Sequence, residues 1–193
     1  MNFNDIQNPR ELLSYMIENV IYAFVGKNNK IYDNPESDEW YDWYSECKVQ
    51  TGEEILKTNV GICWDQVELE RLWFKNHNYT YKTLFVYFES DTENSFPTHS
   101  FLLYKNKDKW YWFEHAFDVY EDIFEFDTFE DALRNVIDAF FHRALDTGAA
   151  TNGDKNLIKC FEYDELTSSL SVDEYMNHVT SGKEISIKNI LDI

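Results

Sequence analysis

The stretch "HSFLLYKNKDKWYWFE", residues 99–114, sets two runs of aromatic and branched residues on either side of the polar tetrapeptide Lys105-Asn106-Lys107-Asp108. That composition predicts an antiparallel hairpin. With Asn106 and Lys107 as its central turn residues, Tyr104 faces Lys109 and His99 faces Glu114. Directly opposed residues share one face of the sheet, ~5 Å apart at Cβ. His99 and Glu114 are thus expected within hydrogen-bonding reach. His115, one residue along, is expected on the other face. Seen alone, such a pair is equally an ordinary cross-strand contact. Trp110 and Trp112 share the His99 face in this register, as core residues or as the wall of a groove.

Upstream, "NVGICWDQVELERLWF" (59–74) opens a helix near Ile62 that carries Val67, Leu69, Leu72 and Trp73 to about Lys75. Cys63 stands at its start, with Gly61 allowing a sharp turn just before it. A helix N-terminus offers unpaired N–H groups and a partial positive charge, which favour a thiolate. A lone cysteine there is more often packing than chemistry. Combined with the hairpin, it supplies the first member of a triad: Cys63 as nucleophile, His99 as base, Glu114 to orient and stabilise the imidazole.

The rest of the chain predicts an α+β order. Asn8-Pro9-x-Glu11 starts an N-terminal helix, 9–25, ended by Gly26. Thr51-x-x-Glu54 caps a short helix to about Thr58. Strands follow over 79–88, 98–104 and 109–115, then a helix over 128–145, a strand over 156–163 and a short helix over 171–180. Residues 118–131, dense in acids, read as a solvated loop. The whole, 1–193, is expected to form a single domain with its core over about 50–165 and a C-terminal helix and extension over 166–193.

Acidic residues outnumber basic ones 36 to 17, a formal net charge of −19, which argues against nucleic acid and membrane surfaces as partners. The N-terminus lacks signal-peptide features, and no apolar run reaches the roughly 20 residues a membrane span needs. Cys47, Cys63 and Cys160 are widely spaced with no CxxC, which points away from disulfides and zinc and toward a cytoplasmic location. No metal or cofactor is expected, since His99 and His115 fall on opposite faces and would not share an ion. His77, His142 and His178 read as surface residues, Cys160 as core, and Cys47 as a poor nucleophile. The aromatic cluster "EWYDWY" (39–44) could line a groove.

Together "VGICWDQ" (60–66), "THSFLLY" (98–104) and "KWYWFEH" (109–115) resemble the transglutaminase-like branch of the papain-like cysteine peptidase superfamily. The likeness covers roughly residues 50–118 and keeps the chain order Cys, His, acid. It implies a Cys-bearing helix packed against an antiparallel sheet, with Cys63, His99 and Glu114 in the catalytic roles. Glu114 stands where the family usually has aspartate. No glutamine precedes Cys63 as in papain-type peptidases, so an oxyanion would rest on the Cys63 N–H and an unidentified second donor; Gln66 and Trp64 are too close in sequence to be assigned that role. The implied activity is a thiol-dependent acyl hydrolase or acyl transferase working through a thioester. Its substrate would be a peptide, a protein, or a small amide or amine. The competing expectation is a catalytically inactive scaffold of the same fold, acting as an acidic protein-binding module.

Overall fold

The computed structural model describes residues 2–33, 46–89, 97–187 and 190. The cluster at 39–44 lies outside them. The fold is mixed α+β. In chain order its elements are α1 (Pro9–Asn19), β1 (Phe24–Val25), β2 (Ile31–Tyr32), β3 (Lys48–Val49), α2 (Gly52–Thr58) and α3 (Cys63–Asn76). Then come β4 (Thr80–Phe88), β5 (Thr98–Asn106), β6 (Lys109–Glu114), β7 (Asp122–Phe126), α4 (Phe129–Asp146), β8 (Ile158–Glu162), β9 (Leu170–Ser171), α5 (Val172–Thr180) and β10 (Lys183–Glu184).

Among the described residues, six strands form one antiparallel sheet in the order β10-β8-β4-β5-β6-β7. Both of its faces are covered, so its strands read as near-continuous apolar runs rather than as alternation. Phe85, Leu102, Tyr104 and Phe113 pack against α1, α3 and α5 on one face. Leu84, Val86, Phe101, Leu103, Trp112 and Cys160 pack against Leu133, Val136, Ile137 and Phe140 of α4 on the other. No helix among the described residues is long and apolar enough to cross a membrane.

The hairpin turns one residue later than the sequence suggests, which shifts the pairing by two: its central residues are Lys107 and Asp108, with Lys107 in the left-handed region at φ 55°. The pairs are Asn106 with Lys109, Tyr104 with Tyr111 and Leu102 with Phe113. This register stacks Tyr104 on Tyr111, ring centroids 5.0 Å apart, where the expected one sets Tyr104 against Lys109. A shift of two residues preserves every face. His99 and Glu114 therefore still share one, although Glu114 now sits beside Phe101 and the residue facing His99 would be Ala116, past the end of β6.

Two other expectations are corrected, and one pair of alternatives is decided. The first helix stops at Asn19, not 25: Val20 caps it, and the β-branched and aromatic run that follows pairs instead with Asn59–Gly61 and with β2. The acidic stretch 118–131 is not simply a loop, for β7 lies within it and seats Phe124 on Trp112. Trp112 is fully buried and Trp110 packs on Phe129, so the pair belongs to the α4-side core and forms no groove wall.

Candidate active site

Cys63 is held by a turn whose backbone groups are pinned one by one. Gly61 N–H donates to Ile21 O at 3.0 Å. Val60 O accepts from Gln50 Nε2 at 2.8 Å, and Gly61 O from Gln66 Nε2 at 2.8 Å. Ile62 cannot cap α3 with its own side chain, and the buried Asp65 does so instead. Its two carboxylate oxygens accept from Ile62 N–H at 2.9 Å and Gln50 N–H at 2.6 Å. Burial outweighs those two donors and pushes the Asp65 carboxyl up to about 7. Gly61 is required by contact rather than by dihedral angle, since a Cβ there would lie 2.6 Å from Cβ of Asp65.

His99 and Glu114 are both buried, at 5% and 2% exposure. His99 Nε2–H donates to Glu114 Oε2 at 2.7 Å. The same oxygen accepts from Trp112 Nε1 at 3.0 Å, while Oε1 accepts from Phe117 N–H at 2.9 Å. Glu114 is thus fixed by three donors, and the Cys63 side chain lies close enough to His99 to act on its pKa. Burial alone would push His99 down. The Glu114 carboxylate and the contact with Cys63 outweigh it and hold the imidazolium up at about 10. Cys63, His99 and Glu114 therefore converge on one point.

That point opens onto a cleft of about 540 Å³ where β6 ends and no strand continues opposite His99. Cys63, His99, Gln66, His115, Tyr22 and Arg143 are among its lining residues. The Tyr22 ring is half exposed, its hydroxyl lies close to Cys63, and burial of that hydroxyl raises its pKa well above the ordinary value.

The remaining candidates separate clearly. His115 points to the α3 side, where Nδ1–H donates to Gln66 Oε1 at 2.6 Å. Burial pushes it down to about 4 and keeps it neutral. Gln66 is committed to Gly61 O, and Trp64 Nε1 donates to Thr98 Oγ1 at 3.0 Å, so neither side chain is free for an oxyanion. Cys47 and Cys160 are buried thiols pushed up by desolvation, Cys47 to about 12. His77 stacks on Trp73 at 3.9 Å as the C-cap of α3, His142 is exposed, and His178 contacts Asp164 O at 2.8 Å.

Sequence reasoning missed Tyr22, Asp65 and Glu70. Tyr22 reaches Cys63 only through tertiary pairing and carries no local signal. Asp65 was legible in principle as an acid at the third position of the helix. Glu70, two turns beyond Cys63 on the same face, is buried with Oε2 unpartnered among the described residues. Burial and the nearby Glu114 charge raise its pKa well above the carboxylate range.

Comparison with models of protein families, with curated proteins and with solved structures finds no match to this chain.

Proposed function

We propose that the protein is a thiol-dependent acyl hydrolase or acyl transferase of transglutaminase-like character, with Cys63 as nucleophile, His99 as proton carrier and Glu114 as the group that orients and stabilises His99. The observation that supports this most directly is that Cys63 and His99 line one cleft, with Glu114 bonded to His99 behind it and held by further donors from Trp112 and the Phe117 backbone. A purely structural His–Glu pair gives no reason for the third contact to be a cysteine at a helix N-terminus.

In the proposed reaction Cys63 Sγ attacks the acyl carbon and forms the C–S bond of a thioester. His99 carries the proton and passes it to the departing amine or alkoxide as the acyl C–N or C–O bond breaks. The second half runs in reverse: neutral His99 takes a proton from water or an incoming amine, which breaks the thioester. The Cys63 N–H faces the developing oxyanion, and the Tyr22 hydroxyl lies close to Cys63 at the same place.

p-Nitrophenyl acetate tests the reading. The expected result is a burst of p-nitrophenol with an acetyl group on Cys63 that hydroxylamine removes, and a burst strongly slowed in His99→Ala. Absence of acetyl-Cys63, with the protein folded, would overturn it.

A further inference from the structure

Arg143, in the last turn of α4, lines the cleft together with Cys63 and His99. Its side chain is exposed and has no carboxylate partner among the described residues, in a chain whose acids outnumber its bases 36 to 17. Elsewhere Arg10 pairs with Asp122 and Arg71 with Glu68, and Lys82 and Lys155 pair with Glu162 and Asp138. The other ionisable groups on the cleft wall are accounted for. His99 is tied to Glu114, His115 is neutral, and Glu121 sits 3.9 Å from His115 Nε2 rather than against Arg143. Ile17, Val20, Phe117, Phe140 and Ala144 supply apolar wall between these polar groups. A guanidinium left unpaired in such a place presents a planar fork that fits a carboxylate with two parallel hydrogen bonds.

Resting on the thiol reading of Cys63, we infer that Arg143 recognises an anionic group of the substrate, and that the acyl donor is a compound carrying a carboxylate beyond its reactive carbonyl. The surface as a whole repels anions at a net charge of −19, so the preference has to be generated locally by this side chain.

Iodoacetate and iodoacetamide test this without knowledge of the substrate. Each alkylates Cys63 by forming an S–C bond and expelling iodide. They differ in a carboxylate against an amide. Cys47 and Cys160 are buried, and a Cys63→Ser control accounts for any label they take. The ratio of the two rates at Cys63, read by mass spectrometry, should fall about ten-fold in Arg143→Gln through loss of the iodoacetate rate alone. Arg143→Lys should keep part of the ratio, and Glu121→Gln should not lower it. The unchanged iodoacetamide rate shows that the variant is folded. A ratio that is the same in wild type and Arg143→Gln, or that depends on Glu121 instead, overturns the assignment while leaving Cys63 a nucleophile. Failure of both reagents to label Cys63 overturns the nucleophile and this assignment together.

Discussion

His99 and Glu114 hydrogen-bond at 2.7 Å although they are not opposite each other in the hairpin; Glu114 sits two pairs further in, beside Phe101, and reaches His99 along the shared face. The longer reach of glutamate suits this diagonal placement. Glu114→Gln should therefore slow both p-nitrophenyl acetate turnover and Cys63 alkylation by about 10²-fold or more, because the amide cannot stabilise an imidazolium. Breaking a buried charge pair should also cost about 3–5 kcal/mol, measurable by urea unfolding. Glu114→Asp should recover little, since its carboxylate is a methylene short. Near-wild-type alkylation in Glu114→Gln would count against the orienting role.

The two histidines on opposite faces predict opposite pH behaviour. His99 is raised in the fold, from 6.5 to about 10, so the stability it contributes is full below 6.5 and is lost as pH rises through 10. His115 is lowered, from 6.5 to about 4, so its contribution is present above 6.5 and is lost as pH falls through 4. Urea midpoints followed from pH 4 to 10 should show His115→Gln flattening the acid limb and His99→Gln the alkaline limb. Exchange of the two effects would mean that the wrong imidazole has been called charged.

Gly61 and Asp65 share a contact that a methyl group cannot enter. Gly61→Ala should destabilise the chain by about 1–3 kcal/mol and, by shifting the turn, slow Cys63 alkylation more than an equally destabilising core change such as Val136→Ala. Equal slowing in the two variants would reduce Gly61 to a packing role. Asp65→Asn keeps one acceptor but turns an N–H toward the other donor, so it should lose the cap of α3 at a cost of about 1–2 kcal/mol.

Glu70 offers a cleaner probe of burial beneath the site. An acid whose pKa is raised by folding is stabilised in its protonated form, and the fold loses stability as pH rises through the unfolded value of 4.5 toward the higher folded one. Glu70→Gln mimics the protonated acid and should raise the melting temperature relative to wild type more at pH 8 than at pH 5. A gain independent of pH would show that the carboxyl is not the group responsible.

Most of the elements could be read from local signals, and so could the parity of the hairpin. Asn8, Thr51, Thr128 and Ser171 mark their helices, and the aromatic and branched runs mark the strands of the sheet. The shared face of His99 and Glu114 survived because a turn misplaced by one residue shifts the pairing by two, and side chains repeat every two along a strand; a pairing shift of one would have exchanged Glu114 for His115. The end of α1 was not legible, because Val20-Ile21-Tyr22 continues a helical spacing of apolar residues and only pairing with Asn59–Gly61 draws it out of the helix. By itself the sequence determined which residues share a face and where Cys63 stands on its helix, since both follow from local periodicity and capping. Tertiary structure alone decided that Cys63 comes up to His99, that Tyr22 lies beside Cys63 and that Arg143 faces the same cleft, because each contact joins elements whose separation in the chain carries no periodic signal.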